Sequence, residues 1–387
     1  MTFKSKVALI RCESYDYDEV KKAVRKGINL LGGAGKYLSK GQKVLLKPNM
    51  LVGDPPEKCV TTHPSVFRAI AEAFRETGAA LCYGDSPCVG SVEGAANKSG
   101  IATAAKIEGI EPADFSTPVG IFYEKARQNK KFVIAKGVLD NDVLVSLPKL
   151  KTHAFEKFTG SVKNQFGCIP GLLKAEFHVK LPDADDFAKM LLDLNMYIRP
   201  VLYVMDGIWA MDGNGPRGGN PKKMNVLLFS EDPIALDATV CRMIDINPEF
   251  VPTIKIGFEF GAGKYLPDQI EIVGDSLESF IDKSFDIERK PLTSYKPSGV
   301  LRLMKNSLVP KPFIVREKCR KCELCVNICP TNPKSVDWFN GKDNYPSHNY
   351  KTCIRCYCCQ EVCPDGAIHL SVSPLRRILN KFLPNVA

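Results

Sequence analysis

The sequence has no apolar run long enough to cross a bilayer, although 44% of its 387 residues are hydrophobic. A membrane-spanning helix needs about 20 consecutive apolar residues. A secretory signal is also missing, because Met-Thr-Phe-Lys-Ser-Lys leads directly into an apolar, strand-like segment. We therefore expect a cytoplasmic protein with no membrane span, in which the cysteines are not paired in disulfides.

Features of nucleic-acid binding are missing as well. Residues 290–387 hold 16 Lys/Arg and 6 Asp/Glu, whereas the other 289 residues hold 37 of each. This basic end has no interleaved aromatic platform and no DNA or RNA motif, so we expect no nucleic-acid partner. Two interpretations stay open: a solvated surface, or a face that attracts an acidic redox partner such as a ferredoxin or flavodoxin-like protein.

The sequence also lacks a true phosphate-binding loop. The letters Gly-Ala-Gly-Lys-Tyr-Leu occur at 33–38 and again at 261–266. In both places they follow a predicted helix rather than a strand, and tyrosine replaces the Ser or Thr of a phosphate loop. We interpret both glycine-rich segments as helix exits.

Cysteine, by contrast, is abundant: there are 15, and eight of them form two runs with the same spacing. In such runs three thiolates hold one iron–sulfur cube and the fourth reaches across to the other. Two zinc sites are the alternative, but zinc ribbons use two-cysteine knuckles rather than runs that end in Cys-Pro. We predict two [4Fe–4S] clusters, one held by Cys319, Cys322, Cys325 and Cys363, and the other by Cys353, Cys356, Cys359 and Cys329.

This stretch resembles a bacterial two-cluster ferredoxin over about residues 312–372. Cys358 is a ninth cysteine in it, but only Cys359 keeps the three-residue interval to Cys363, so we expect Cys358 to be an apolar filler. Cys168 lies in a glycine-flanked loop and is a candidate ligand or reactive thiol. Three others fall in apolar segments and are predicted to be core residues: Cys12, Cys82 and Cys241.

The remaining pattern alternates strands with helices and predicts an α/β fold, with a mostly parallel sheet and helices on both faces, followed by a small α+β domain of ferredoxin type. We expect an α/β domain at 1–289, a linker at 290–311, the ferredoxin domain at 312–372 and a basic amphipathic tail at 373–387. The predicted strands are 7–12, 43–49, 79–83, 142–147, 201–205, 225–229 and 269–273, the helices are 17–31, 64–77, 91–99, 183–198 and 233–244, and a hairpin has arms at 122–125 and 132–136.

Polar residues follow several of these strands at their carboxyl ends, where open parallel sheets bind ligands. We predict that some of them transfer protons and others bind a small anionic ligand. The proposed proton-transfer residues are Lys151, His153, Asp85 and Asp206. The proposed anion-binding residues are Lys47, Asn49, Lys149, Lys163 and Asn164.

Each candidate has a structural alternative. The lysines can be solvated charges, and the aspartates can be turn residues. Lys163-Asn164 would open a helix whose free amides hold a phosphate or carboxylate. His63 can simply begin a helix, Asp237 is expected on a helix face in a structural role, and His178 is a further candidate.

Taken together, the motifs of this region resemble the DUF362 family, a domain of unknown function often fused to a two-cluster ferredoxin. The resemblance covers roughly residues 5–275 and implies an α/β domain linked to redox chemistry, without a substrate. It rests on Leu-Lys-Pro-Asn (46–49), Thr-His-Pro (62–64), Gly-Asp-Ser-Pro (84–87), Pro-Lys-Leu-Lys-Thr-His (148–153), Gly-Ser-Val-Lys-Asn-x-Phe-Gly (160–167), Asp-Gly (206–207) and Gly-Asn-Gly-Pro (213–216).

Three functional hypotheses follow. The first is an iron–sulfur oxidoreductase that passes single electrons to a small anionic substrate at the strand ends. The second is an electron carrier or scaffold whose α/β domain binds a partner or metabolite without turnover. The third is a factor that assembles or delivers a metal cofactor.

Overall fold

The computed structural model describes residues 4–291 and 309–373. Most of the predicted linker and nearly all of the predicted tail lie outside the described residues. Within the described ranges, no helix combines the length and apolar character required to traverse a membrane.

The first described range contains twelve strands and ten α-helices. The strands are β1 (Ser5–Arg11), β2 (Lys43–Pro48), β3 (Ala80–Tyr83), β4 (Glu111–Pro112), β5 (Pro118–Phe122), β6 (Lys131–Ala135), β7 (Val143–Leu147), β8 (Lys149–His153), β9 (Lys157–Thr159), β10 (Leu202–Asp212), β11 (Asn220–Ser230) and β12 (Ile270–Gly274). The helices are α1 (Tyr17–Leu30), α2 (Pro64–Arg75), α3 (Val92–Lys98), α4 (Ile101–Ile107), α5 (Lys136–Leu139), α6 (Ser161–Asn164), α7 (Leu173–Lys180), α8 (Ala184–Ile198), α9 (Pro233–Met243) and α10 (Pro252–Glu259).

Ten of these strands form one sheet in the order β12-β1-β11-β10-β7-β2-β3-β4, with β8 paired to β10 and β9. Along this order, β11 alone runs antiparallel to its neighbours β1 and β10, and the other neighbouring pairs are parallel. The carboxyl ends of β3, β2 and β7 therefore meet at one edge, as the sequence predicted. The mostly parallel α/β fold is confirmed.

Apolar residues alternate between the two faces of the sheet, because successive side chains of a strand point to opposite sides. Val7 and Leu9 of β1 pack in one buried cluster with residues of α8, α9 and α10. Ala8 and Ile10 pack in a second cluster with residues of α1, α2 and α4. Helices thus cover both faces, as predicted.

Several predicted boundaries are wrong. The first hairpin arm is Pro118–Phe122 rather than 122–125. The strand predicted at 201–205 continues to Asp212, because a bulge between Gly207 and Trp209 lets it bend without ending. Residues 149–153, which lie outside the predicted strands, form β8 against β10. The glycine-rich segments do leave α1 and α10, with Gly33 and Gly261 at positive φ.

The second described range has the short elements of a ferredoxin-like unit. Its outer strands β13 (Lys311–Ile314) and β16 (Ile368–Ser371) pair antiparallel, as do β14 (Val336–Asp337) and β15 (Ser347–His348). Two short helices follow cysteines of the two runs: α11 (Leu324–Ile328) and α12 (Cys358–Glu361).

Candidate functional site

A buried ion pair links the ends of β2 and β3. Lys47 Nζ lies 2.8 Å from Asp85 Oδ1, and the lysine is fully buried. The other oxygen of Asp85 accepts a hydrogen bond of 2.7 Å from the backbone N–H of Met50. Lys47 also donates to Asn164 Oδ1 at 3.3 Å, so the pair is joined to α6. The ends of β2 and β3 and the helix α6 are thereby fixed at one edge of the sheet.

The strand β8 brings two more candidates to this edge. Residues two apart in a strand share a face, which places Lys149, Lys151 and His153 in one row. Lys151 Nζ donates to Asn49 Oδ1 at 2.7 Å and to the carbonyl of Val60. Burial lowers the pKa of Lys151 to about 7. This ammonium group therefore holds its proton only weakly at neutral pH.

A cavity of about 70 Å³ opens beside these residues. Its walls come from the strand ends, from α6, α7 and the segment that joins them, and from the ferredoxin-like unit. Two cysteines outside the predicted ligand set line it as well, Cys88 and Cys358. Six of the nine predicted non-cysteine site residues line it: Asn49, Asp85, Lys151, His153, Lys163 and Asn164.

The ferredoxin-like unit closes the cavity with Ile328, Cys358, Glu361 and Val362. Ile328 precedes Cys329, and Cys358 precedes Cys359, so the cavity wall is one residue away from two predicted ligands of the second cluster. The strand-end site predicted from the α/β half is therefore built by both halves of the chain.

Polar contacts hold the two halves together. Arg217 forms a two-pronged ion pair with Asp54 at 2.8 and 3.0 Å and also donates to the carbonyl of Val362. Asn214 donates to the carbonyl of Ile368 at 3.0 Å and accepts from Gln360. These contacts fix the second cysteine run against the turn between β10 and β11.

A histidine and a glutamate meet across this boundary. His153 Nε2 lies 2.8 Å from Glu361 Oε1. His153 Nδ1 accepts hydrogen bonds from the backbone N–H groups of Phe155 and Glu156 at 3.1 and 3.2 Å, so the ring proton of the neutral imidazole is on Nε2. Burial lowers the pKa of His153 to about 4. The histidine is thus neutral, and its Nε2 lies close to the carboxylate without the angle of a hydrogen bond.

The lysines of the cavity differ in how many of their N–H donors are already used in hydrogen bonds within the protein. An ammonium group has three N–H donors. Lys174 uses all three on the carbonyls of Ser86, Pro87 and Ile169, at 3.0, 3.4 and 2.8 Å. Lys151 uses two. Lys163 has no hydrogen-bond acceptor among the described residues, and its Nζ lies 5.3 Å from the ring centre of Phe166. A bound anion would therefore find free donors on Lys163 and Lys151.

Of the three other candidates, Lys47 is paired with Asp85 behind the cavity wall, and two lie elsewhere. Lys149 Nζ is 2.8 Å from Asp206 Oδ2, and both side chains are fully buried. Tyr15 bridges them, accepting from Lys149 at 2.7 Å and donating to Asp206 at 2.9 Å. His63 stacks on Tyr15 at 3.5 Å and closes the group. Lys149 and Asp206 do not line the cavity, and they neutralise each other.

The expectation that the helix of Lys163 and Asn164 offers free amides is wrong. α6 begins at Ser161, and Asp237 of α9 already accepts from the amides of Ser161 and Val162 at 2.7 and 3.4 Å. Asp237 therefore has the structural role that the sequence predicted. A Cβ on Gly160 would lie 2.4 Å from its carboxylate, which explains the glycine there.

A similar lack of space explains the glycine at position 167. A Cβ at this position would lie only 1.8 Å from Asp85 Oδ1 and 2.8 Å from Lys47 Nζ. The two glycines that bound the Gly-Ser-Val-Lys-Asn-x-Phe-Gly segment thus allow a buried carboxylate to approach at each end.

The cysteine runs fold into two groups. Cys319, Cys322, Cys325 and Cys363 line one small cavity. Burial first, and then the nearby thiols of Cys363 and Cys322, raise the pKa of Cys325 to about 12. A second group lies around Cys359, whose pKa is raised by burial and by the nearby thiols of Cys356, Cys353, Cys325 and Cys329. Cys325 is thus close to both groups, and the assignment of the eight cysteines to two clusters stays a prediction.

The surroundings suit thiolate ligands. Backbone N–H groups of Ser335 and Ala367 donate to the sulfurs of Cys329 and Cys363 at 3.3 and 3.2 Å. In the described part of the chain, no three Cys, His, Asp or Glu side chains converge as the ligands of a single metal ion do.

Most of the other cysteines are packing residues. Cys168 is fully buried beside Leu45 and Phe115, and burial raises its pKa to about 12, so the expectation of a ligand or reactive thiol there is wrong. Cys358 is buried against Ile328 and Val362, in agreement with a filler role. Cys12 and Cys241 are core residues as predicted, whereas Cys82 is half-buried and donates to Asn141.

Sequence reasoning missed three residues of the site. Glu361 lies between two predicted cluster ligands, and nothing in its local pattern indicates that it enters the α/β crevice. Lys174 and Cys88 lie outside the strand ends that the search considered. Their only signal is position, since Cys88 closely follows Asp85 and Lys174 lies four residues before His178.

Comparison with known proteins supports this architecture. Residues 44–242 match the domain of unknown function DUF362, and residues 318–367 match the 4Fe-4S dicluster domain. A thylakoid-associated protein of Synechocystis is 36% identical over 249 residues, covering 64% of this chain and 77% of that protein.

Shorter similarities concern the cysteine-rich end. NAD(P)H-quinone oxidoreductase subunit I of Prochlorococcus marinus is 33% identical over 84 residues, covering 22% of this chain and 35% of that protein. Among solved structures, the lactate racemase apoprotein of Thermoanaerobacterium thermosaccharolyticum aligns with a TM-score of 0.38 and 13% identity. The alignment covers 63% of this chain and 57% of the racemase chain. This similarity is too weak to bear on fold or function. The matched domains and the Synechocystis relative show that this chain is a member of the DUF362 family that also contains an iron–sulfur segment of the 4Fe-4S dicluster type.

Proposed function

We propose that this protein is an iron–sulfur oxidoreductase that binds a small anion in the cavity between its two halves and reduces it there. One observation carries the proposal: the cavity is lined both by the polar strand-end residues and by residues adjacent to the second cysteine group. The two [4Fe–4S] clusters, when bound by the eight predicted cysteines, supply single electrons.

The chain's own residues bind and orient the anion in this proposal. Lys163 and the remaining N–H of Lys151 hold the negative group, and the apolar wall of Leu51, Phe166 and Val362 contacts the rest of the ligand. A cleft with mostly apolar walls and few polar groups is typical of small-molecule sites. Lys151, with a pKa of about 7, is suited to release a proton to the bound ligand.

We further propose that the electrons come from an acidic one-electron carrier of ferredoxin or flavodoxin type. Cys322 of the first group is exposed and lies beside Arg320 and Lys321. However, residues 309–373 hold only nine basic and six acidic residues, and residues 292–308 and 374–387 add six basic and no acidic ones. The charge attraction would therefore depend largely on those two segments, with a rate that falls as salt rises.

A reductive titration tests the proposal. The full chain, purified without oxygen, would be reduced with dithionite, freed of excess reductant and mixed with pyruvate or fumarate, which represent 2-oxo and unsaturated carboxylates. The expected result is a return of the visible absorbance of the oxidised clusters. Lys151→Ala and His153→Ala should slow this return and keep the iron and sulfide content.

Inorganic phosphate, an anion that cannot be reduced in this way, is the matched control. If pyruvate and fumarate bind and yet leave the protein reduced, the oxidoreductase proposal fails for these carboxylates and the carrier or scaffold hypothesis gains. If the protein transfers iron to an apo-protein added to the mixture, the hypothesis of cofactor delivery is favoured instead.

A further inference from the structure

A histidine of the ferredoxin-like unit contacts a predicted cluster ligand without being a ligand itself. His348 Nε2 lies 3.5 Å from the sulfur of Cys359. Cys359 is buried, and His348 is half-buried. Neither the spacing of the cysteine runs nor the proposed function gives this histidine a role.

The fold holds the imidazole of His348 at this sulfur. The antiparallel pairing of β14 with β15 places His348 opposite Val336, and Val336 shares one buried apolar cluster with Cys359. The ring of Tyr350 lies parallel to the imidazole, with ring centres 6.0 Å apart. Tyr350 is itself anchored, because its hydroxyl donates to the carbonyl of Pro312 at 3.0 Å. The position of the histidine is thus fixed by its strand and by a neighbouring ring.

The direction of the hydrogen bond follows from the chemistry of a cluster ligand. A cysteine binds a metal as the thiolate, which has no proton to give and can only accept. A neutral histidine has a proton on one ring nitrogen and accepts on the other. Since His348 Nε2 is the nitrogen next to Cys359, this nitrogen must be the one that donates.

The second cysteine group has further donors around it. The sulfur of Cys329, which is predicted to bind the same cluster as Cys359, accepts from the backbone N–H of Ser335 at 3.3 Å and lies 3.3 Å from the hydroxyl oxygen of Thr331. Cys329 and Cys359 are also the two predicted ligands that directly follow residues of the cavity wall. The side chains that contact these sulfurs therefore surround the cluster next to the cavity.

A hydrogen bond to a ligand sulfur affects the two oxidation states of a cluster unequally. Reduction adds one negative charge to the cluster and its thiolates, and a hydrogen bond is stronger when its acceptor is charged. The donor therefore stabilises the reduced state more than the oxidised state. Hydrogen bonds to the sulfurs are among the features that set the reduction potential of an iron–sulfur cluster.

We propose that His348 donates a hydrogen bond to the thiolate of Cys359 and raises the reduction potential of the cluster next to the cavity. This favours the step in which the first cluster loses one electron and the second gains it, while the proton stays on Nε2. The inference deepens the proposed function and rests on it for the two clusters, but it does not require a reducible ligand in the cavity.

The test is a potentiometric titration of the full chain without oxygen and without added ligand, followed by electron paramagnetic resonance. His348→Phe keeps a ring and removes the N–H. It should lower the equilibrium constant of one of the two reduction steps about tenfold, which is about 59 mV for one electron. The other step, the iron content and the sulfide content should be unchanged. His348→Gln, which has a side-chain N–H, should restore most of the shift.

His369→Phe is the matched control. His369 lies in β16 of the same unit, is also half-buried and is next to an aromatic ring, that of Phe313, with centres 6.1 Å apart. Its Nε2 has no hydrogen-bond partner among the described residues. Both reduction steps should therefore stay at their wild-type potentials in this variant.

Pulsed resonance spectra of protein labelled with ¹⁵N-histidine give a direct measurement of the contact. The cluster whose reduction step shifts in His348→Phe should show coupling to a histidine nitrogen in the wild-type protein, and this coupling should be lost in His348→Phe. The coupling should persist in His369→Phe.

The outcomes separate this inference from the proposed function. A lowered step in His348→Phe with recovery in His348→Gln supports it. Unchanged potentials in His348→Phe overturn it, and so do equal shifts in both His348 variants, because packing rather than the N–H would then set the potential. Pyruvate and fumarate are absent from this titration, so their failure to reoxidise the protein would overturn the proposed function alone. A wild-type protein without an iron–sulfur signal overturns both.

Discussion

The α/β half contains two buried lysine–aspartate pairs that look alike in sequence and differ in surroundings. Lys47–Asp85 and Lys149–Asp206 both have a 2.8 Å contact and almost no exposure. Asp206 accepts from Lys149, Tyr15 and two backbone amides, whereas Asp85 accepts only from Lys47 and Met50 within residues 4–291 and 309–373. The first pair borders the cavity, and the second is closed off by the stacked rings of Tyr15 and His63.

This comparison shows that a strand-end lysine or aspartate is not by itself a ligand-binding group. The difference lies in how many donors and acceptors the fold leaves unused. The Lys149–Asp206 pair has its hydrogen-bond donors and acceptors engaged within the protein. The edge around Lys47–Asp85 has spare donors on Lys151 and Lys163, and it is there that the ferredoxin-like unit closes the cavity.

The largest expected effect comes from removing one charge of each pair. Asp206→Asn leaves Lys149 buried without a counter-charge, and breaking a buried pair costs about 3–5 kcal/mol of unfolding free energy. Asp85→Asn should cost less, about 1–3 kcal/mol, because position 85 itself lines the cavity, where water can contact the substituted side chain. Denaturant unfolding under anaerobic conditions measures both. Equal losses would contradict the distinction between a closed pair and an open one.

The sequence could predict most of the frame on which this comparison depends. Strand–helix alternation was sufficient for the mostly parallel sheet with helices on both faces, since the pattern of apolar residues is local. The spacing of the cysteine runs was likewise sufficient to predict an iron–sulfur segment, because three cysteines of each run lie within seven residues, and residues 318–367 match the 4Fe-4S dicluster domain.

The rest depends on contacts between distant residues. Whether Lys149 faces a ligand or Asp206 is decided by the pairing of β8 with β10, and the predicted strands did not include 149–153. Glu361 reaches His153 across more than 200 residues of sequence, and no local signal marks it. Docking of the second cysteine run by Arg217 is equally invisible in the sequence.

A second prediction tests how closely the Lys47–Asp85 pair is packed. Gly167→Ala places a methyl group 1.8 Å from Asp85 Oδ1, so the ion pair must move, and overpacking of this kind costs about 1–3 kcal/mol. Gly120→Ala is the matched control, because no atom lies within 4 Å of a Cβ there. Denaturant unfolding should show destabilisation in the first variant alone. An equally stable Gly167→Ala protein would show that the pair is not held rigidly.

The third prediction concerns the spare donors. Lys163→Met should weaken binding of pyruvate to the oxidised protein about tenfold or more, since a hydrogen bond to a charged group contributes about 1.5–3 kcal/mol. Lys180→Met is the control, because Lys180 is exposed and pairs with Glu176 at 3.1 Å. Isothermal calorimetry measures both affinities. If the two variants bind pyruvate equally well, the anion does not lie at the Lys163 end of the cavity.

The smallest effect is a dependence of this binding on pH. The pKa of Lys151 falls from 10.5 to about 7 on folding, and burial lowers that of Lys174 to about 8, so both lose charge between pH 6 and 9. Pyruvate keeps its charge over this range, and its affinity should therefore fall several-fold as pH rises. The stability of the unliganded protein should change in the opposite direction between pH 7 and 10.5, because the unfolded chain then binds the proton of Lys151 more tightly. Lys151→Arg, which stays charged, should flatten the lower part of the affinity profile and leave the part due to Lys174. A profile in Lys151→Arg identical to that of the wild-type protein would mean that Lys151 does not contact the anion. Of the two lysines with spare donors, Lys163 would then bind the anion without Lys151.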